Sequence, residues 1–372
     1  MEEDKISQLP DDILLHILSF ISIDEAVKTT ILSKRWQHVF RSLSHLRFHR
    51  TRAAAVGRRV PLSKFVSELL SLRDPSASVH DFHFSFDGRF SCPFVAECVS
   101  YAVSHGVRSL RLHAPTHLTL RLPAAFFAST TLRELELRQS YKGIHMPGHF
   151  SFPNLKTLYL ETQLYFDDYD PLQPWLRSDV EREPFSGLPE LERLTLRGYP
   201  IPRLVIKAPK LRILEIFSYD DAVGEISAPL LTSFTCHCRH PWSDTKMNLP
   251  SLEEVDLNIY GDGPTTWWRD LSWMLRQLAD ATTVTLTLDT LRILEWDRDL
   301  RKRSPPFPNI KSLKVVRKSL HEHIYNWQAH FPARLQRRVM EYMTKGTSNL
   351  KSLKVEIPDN LDLVEYEPGW YT

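Results

Sequence analysis

Two hydrophobic rhythms divide the chain. In the first fifty residues Ile13, Leu14, Ile17, Leu18 and Ile21 recur at i, i+1, i+4, i+5 and i+8, which gathers them on one face of a helix. Pro10 suits a first helical turn, and Asp11 and Asp12 complement the positive end of the helix dipole, so a helix is predicted to start near Pro10. Ser22-Ile23-Asp24-Glu25 has the form of a capping box, which predicts a second helix from Ile23. Ser33 is placed to cap a third, with Trp36, Val39, Phe40 and Leu43 on one stripe. Three such helices, without a cysteine among them, carry more apolar surface than they can hide from water. Part of it is expected to face another protein.

From Val79 onward the rhythm becomes apolar-x-x-apolar-x-apolar. It runs from Val79/Phe82/Phe84 to Leu350/Leu353/Val355 in eleven copies whose first positions lie 20 to 40 residues apart. Proline stands two residues before the copies starting at Leu155, Leu191, Leu211, Leu231, Leu252 and Ile310. Most of these intervals lie near the 20–29 residues of a leucine-rich repeat, in which each unit adds one strand to a parallel sheet. Longer units have room for helices, predicted at 267–278 and at 93–101 before Gly106. Units of 20 residues leave room only for a loop or a short helical turn, so the outer wall is expected to be uneven.

Strand alternation points each triad into the core and the residues around its last two positions outward. The outward stripe is Glu134, Glu136, Arg138; Thr157, Tyr159, Glu161; Arg193, Thr195, Arg197; Ile213, Glu215, Phe217; Ser233, Thr235, His237; and Glu254, Asp256, Asn258. Repeat proteins bind partners on such concave surfaces. Target contacts are expected from Tyr159, Arg193, Arg197, Glu215, Phe217, His237 and Asp256. The long unit after Leu155 adds an acidic and aromatic segment with Tyr165, Phe166, Tyr169 and Trp175, read as a binding loop or as a surface loop packing its own aromatics.

Composition narrows the function classes. Of 372 residues 42% are hydrophobic and 25% charged, and the net charge of +2 supplies no overall pull toward nucleic acid or anionic lipid. No apolar run is long enough for a membrane span, and the acidic start Met1-Glu2-Glu3-Asp4 is unlike a secretory signal, so cytoplasm or nucleus is expected. Four cysteines fit free thiols. Cys236-His237-Cys238 is read against a metal site, because alternation sends His237 to the face opposite Cys236. Arg298, Arg301, Lys302 and Arg303 are a nuclear-localisation candidate, with a solvated loop as the plainer reading. No nucleotide, zinc-hydrolase or serine-hydrolase motif occurs, and neither catalytic residues nor a metal are expected.

Leu9-Pro10-Asp11-Asp12-Ile13-Leu14, Ile17-Leu18-Ser19-Phe20 and Ile31-Leu32-Ser33-Lys34-Arg35-Trp36 resemble the F-box of plant F-box/leucine-rich-repeat proteins. The resemblance implies binding to the Skp-type adaptor of a cullin-RING ubiquitin ligase through Leu9, Pro10, Ile13, Leu14, Ile17, Leu18, Leu32, Ser33 and Trp36. It also implies target recruitment by the repeats, with the thioester chemistry on other subunits. The Asn or Cys which the family places after each triad is replaced here by residues such as Ser140, Tyr199 and Tyr260, leaving curvature open.

The expectation is an α+β protein. Residues 1–50 form the F-box, 51–78 a connecting helix and the start of the solenoid, 79–355 the repeats, and 356–372 an acidic tail or cap. The function expected is a substrate receptor promoting ubiquitination and degradation of an unknown target. The alternatives are an adaptor-bound scaffold without ubiquitin transfer and, further off, a nucleic-acid-binding repeat protein. No cofactor is expected, although a small-molecule co-ligand in the repeats stays open.

Overall fold

The computed structural model describes residues 6, 8–50, 62–86, 91–113, 119–138, 143–147, 150–162, 164–165, 181–198, 203–218, 223–261, 266–317, 334–345, 353–358 and 361–364. Its contacts separate two units, Met1–Leu172 with Gly187–Glu190, and Gln173–Ser186 with Leu191–Thr372.

The first unit opens with α1 (Asp11–Leu18), α2 (Ile23–Thr29) and α3 (Lys34–Arg41). Pro10 is the N-cap of α1 rather than its first turn, and the Ser33 hydroxyl caps α3 by accepting from Trp36 N at 3.4 Å. The capping box at Ser22 is not formed. Ser22 occupies the N-cap of α2, but no side-chain cap bond is made; its backbone carbonyl accepts from Glu25 N at 3.0 Å and Ala26 N at 3.0 Å. The spacing that predicted α1 and α3 buries Leu14, Leu18, Trp36, Val39, Phe40 and Leu43.

The chain then enters a strand that lies upstream of the eleven triads. β1 (His45–Arg50) pairs in parallel with β2 (Asp81–Phe86), placing Leu46 beside Phe82 and Phe48 beside Phe84. Leu43, Leu46 and Phe48 have the repeat spacing and are all buried, so the first repeat unit grows directly out of α3. β3 (Ser109–His113), β4 (Glu134–Arg138) and β5 (Thr157–Glu161) continue the parallel order, with Leu110, Leu135 and Leu158 in register.

Helices α4 (Leu62–Ser71) and α5 (Cys92–Ser104) lie between these strands. α5 stops at Gly106, whose φ of 74° lets Val107 N bond Ala102 O at 3.1 Å and Gly106 N bond Val103 O at 3.1 Å, closing orphan carbonyls. Arg73, 3% exposed, fastens α3's exit to this layer. Its guanidinium donates to Leu43 O at 2.6 Å, Ser78 O at 3.4 Å and Tyr101 Oη at 2.6 Å.

In the second unit β6 (Arg193–Gly198), β7 (Ile213–Ser218), β8 (Ser233–Cys238), β9 (Glu254–Ile259), β10 (Thr283–Thr287), β11 (Ser312–Val316) and β12 (Lys354–Glu356) run parallel in sequence order. The prolines before the triads have a defined job. Pro209, Pro229 and Pro250 sit second in turns closed by Leu211 N to Ala208 O (3.2 Å), Leu231 N to Ala228 O (3.1 Å) and Leu252 N to Leu249 O (3.2 Å). Proline's fixed φ presets that turn position, and Ala208, Ala228 and Leu249 are themselves buried.

The outer wall of the short units is not loop or helical turn. Val205–Lys207, Glu225–Ser227 and Lys246–Asn248 form a second narrow parallel sheet, because 20 residues leave too little chain for a returning helix and Val205, Ile206 and Ile226 supply buried strand positions. α6 (Trp267–Gln277) fills a longer unit as expected. α7 (Leu288–Ile293) follows β10 directly, and α8 (Arg337–Thr344) follows the strand Arg334–Gln336. That strand pairs with Asp362–Val364, so part of the expected tail is folded. Val355, expected inside, is 36% exposed on β12, the last strand in the sheet order. No helix among the described residues is long and apolar enough to cross a membrane.

Candidate functional site

The helical trio divides the nine adaptor candidates. Leu14, Leu18 and Trp36 are at most 7% exposed and form the trio's own core, whereas Ile13 (42%), Ile17 (43%) and Leu32 (67%) face water. Pro10 and Ser33 are exposed and Leu9 is half-buried. Phe20 (67%) and Ile31 (86%), which were not singled out, join the exposed apolar set. Arg35 was also missed. It donates from Nε to Asp11 at 2.8 Å and bonds the Leu9 carbonyl, tying α3 to the Leu-Pro segment that leads into α1. An arginine 24 residues from its carboxylate gives no periodic signal.

The outward face of β3–β5 is a ladder of internal pairs. Arg111 reaches Glu134 at 3.5 Å and Glu136 at 3.8 Å, while Arg138 reaches Glu136 at 2.6 Å and Glu161 at 3.7 Å. The Arg138 guanidinium carbon also lies 4.8 Å from the ring centre of Tyr159, whose hydroxyl donates to Glu161 at 2.7 Å. The charges on this face are already answered within the chain.

The face of β6–β9 is different. Register places Arg193, Ile213, Ser233 and Glu254 in one row; Thr195, Glu215, Thr235 and Asp256 in the next; and Arg197, Phe217, His237 and Asn258 in a third. Thr195 donates to Glu215 at 2.8 Å, Arg197 lies 3.9 Å from the Phe217 ring centre, and Phe217 meets His237 edge-on at 4.8 Å. His237 Nε2 is 3.6 Å from Asp256 Oδ1. Three residues expected outward and open are in fact buried: Thr195 (3%), His237 (7%) and Asn258 (0%). Alternation is kept, but neighbours cover them. α7 packs beside β9, where Thr287 Oγ1 donates to Asn258 Oδ1 at 3.0 Å and Ile259 N donates to Thr290 Oγ1 at 2.7 Å.

Of the aromatic loop, Tyr165 is described only as backbone of a two-residue strand, and Phe166, Tyr169 and Trp175 lie outside the described residues. Cys236 and Cys238 point the same way with sulfurs 3.7 Å apart, and burial drives the Cys236 thiol well above its usual range. Among the described residues no group of His, Cys, Asp and Glu could hold a metal ion. The basic run is largely neutralised, since Arg301 pairs with Glu341 (3.2 Å), Lys302 with Asp299 (2.7 Å) and Arg303 with buried Asp297. On β1 and β2, burial lowers the pKa of His45 and His49 and takes that of His83 to about 4; the rings of His49 and His83 are 4.1 Å apart.

Residues 6–48 match the F-box domain. That match ends on Phe48, inside the strand that begins the repeat sheet. Among curated relatives in Arabidopsis thaliana, a putative FBD-associated F-box protein is 28% identical over 70% of this chain and 60% of its own length. An F-box/FBD/LRR-repeat protein is 30% identical over 60% of this chain and 56% of its own. An F-box/LRR-repeat protein is 26% identical over 84% of both chains. The chain thus spans little more than half the length of the first two. A helical trio matched as an F-box, a parallel repeat sheet growing out of it, and these relatives make the chain similar to plant F-box/leucine-rich-repeat proteins.

Proposed function

We propose that this protein is a non-catalytic substrate receptor of a Skp-cullin-F-box ubiquitin ligase, docking on the adaptor through its F-box and holding a target on the repeats. The observation that carries the reading is the cluster of Ile13, Ile17, Phe20, Ile31 and Leu32, large apolar side chains 42–86% exposed within the matched F-box segment. Exposed apolar surface in so small a unit is suited to burial against a partner. Arg35 would hold the Leu9-Pro10 segment in place beside it.

Such a receptor contributes to the reaction by proximity, raising the effective concentration of a target lysine near the charged conjugating enzyme. The target surface proposed is the outward face of β6–β9, where exposed Arg197 lies against the Phe217 ring and, among the described residues, no carboxylate pairs with it. The test is co-purification of the full chain with a Skp-type adaptor and a cullin, followed by proximity labelling with the ligase inhibited. Partners should accumulate when the ligase is blocked. Failure to capture adaptor would sink the docking half, and capture without accumulation would favour an adaptor-bound scaffold that does not transfer ubiquitin.

A further inference from the structure

Between Leu300 and Pro306 the second unit carries an exposed arch that the receptor function leaves unused. Leu300 and Phe307 are fully buried and Pro306 is buried, so the arch is pegged at both ends, while Arg301, Lys302 and Ser304 face water. Leu300–Lys302 make a short 3-10 turn, and at Arg303 the backbone becomes extended, with φ −80° and ψ 153°. Pro305 favours the same extended form at Ser304. Successive side chains of extended backbone leave on opposite sides. Arg303 goes inward, where its Nε bonds buried Asp297 and its guanidinium carbon lies 4.7 Å from the Trp268 ring centre. Ser304 goes outward, and among the described residues its hydroxyl makes no hydrogen bond.

An outward hydroxyl on pre-extended backbone suits a protein kinase, whose catalytic carboxylate must reach the hydroxyl proton. The inward arginine holds that form in advance, so binding has little chain left to order. The residue after the hydroxyl selects the class of kinase. Pro305 has no N–H, which fits an enzyme whose pocket accepts proline there and leaves it no donor to satisfy. Of the 25 prolines in the chain, only this one follows a serine or threonine, so the single proline-directed sequence falls on the exposed arch.

We infer that Ser304 is a phosphorylation site for a proline-directed protein kinase. Ser304 Oγ attacks the γ-phosphorus of ATP as the bond to the β-phosphate oxygen breaks. ADP leaves, and the hydroxyl proton passes to the kinase's carboxylate and on to water. The new phosphate stands beside Arg301 and Lys302, whose pairs with Glu341 and Asp299 lie in solvent and are weak. A phosphate with three acceptor oxygens outcompetes those pairs, whereas Arg303 stays with Asp297, which is 2% exposed. Arg298, Arg301, Lys302 and Arg303 face three carboxylates, Asp297, Asp299 and Glu341, and a phosphate charge of about −2 at neutral pH reverses that balance. Modification thereby turns a basic arch acidic and takes Arg301 from α8.

The test uses the folded full chain, ATP and two purified kinases, one proline-directed and one that selects arginine three residues before the hydroxyl. Mass spectrometry should find phosphate on Ser304 with the first and not with the second. Pro305→Ala should abolish it, with thermal unfolding reporting whether the fold is kept. A synthetic peptide of residues 296–308, with and without the same change, keeps the assignment testable should that variant unfold. The chain's kcat/KM should lie within about tenfold of the peptide's. A poorer chain would mean that the fold closes the arch to the kinase, and no phosphate on Ser304 in chain or peptide would reject the site. Equal modification by the second kinase would overturn the proline-directed class. Phosphorus NMR titration reads the capture: the second pKa of the phosphate should rise when Arg301→Gln and Lys302→Gln are made together, and an unchanged value would overturn the hold on the phosphate.

Discussion

Changing Ile17 and Leu32 together to Ala removes two exposed apolar groups from the F-box without touching its core. Burying a whole Leu or Ile side chain is worth about 2 kcal/mol. Ile17 is 43% and Leu32 67% exposed, so only those fractions remain for a partner to cover. Scaled accordingly, each contributes about 1 kcal/mol and the pair about 2 kcal/mol, a loss of about thirtyfold in adaptor affinity. Folding should hardly change, since surface substitutions usually stay within about 0.5 kcal/mol. Leu14→Ala is the contrast. That side chain is 0% exposed, and its truncation should cost about 2–5 kcal/mol of stability. Titration calorimetry of the full chain with purified Skp-type adaptor, paired with thermal unfolding, measures both quantities. Unchanged affinity in a folded Ile17→Ala/Leu32→Ala protein would refute the docking surface. A large loss of stability in that variant would refute the division into core and surface.

Arg73→Met should destabilise the protein by about 3 kcal/mol or more by stranding the Leu43 carbonyl and the Tyr101 hydroxyl, and Arg73→Lys should recover only part because one ammonium nitrogen cannot stand where two guanidinium nitrogens do, both read from denaturant midpoints. Gly187→Ala should unfold at lower temperature, since a Cβ there would sit 2.1 Å from the Phe150 carbonyl oxygen. Stability should fall as pH drops from about 6.5 toward 4: the unfolded chain takes a proton on His83 near 6.5, whereas in the fold burial lowers its pKa to about 4, so protonation favours unfolding in that window. His83→Gln should flatten this slope in midpoints measured at pH 7 and pH 5, and an unaltered slope would reject His83 as its source.

Local periodicity made much of this architecture legible in the chain. The apolar spacings of α1 and α3 became buried stripes, and the triads from Val79 to Val315 became strands in the order written, with Leu196 only half-buried. Even β1, upstream of the eleven triads, carries the same spacing in Leu43, Leu46 and Phe48. The proline positions were visible too, though their role as second residue of a turn needed the backbone hydrogen bonds.

Tertiary structure decided what periodicity cannot carry. Helical phase says that Leu14 and Ile17 share a stripe, but only packing against α3 makes one core and leaves the other exposed. Alternation says that Thr195, His237 and Asn258 lie on the outward face, but neighbouring strands and α7 determine how far each is covered. Arg35 on Asp11 and Arg73 on Leu43 join residues 24 and 30 positions apart, a separation that leaves no periodic trace. The sequence by itself determined which residues face together, because that depends on backbone period. Which of those faces stay open was decided by neighbours brought from elsewhere in the chain.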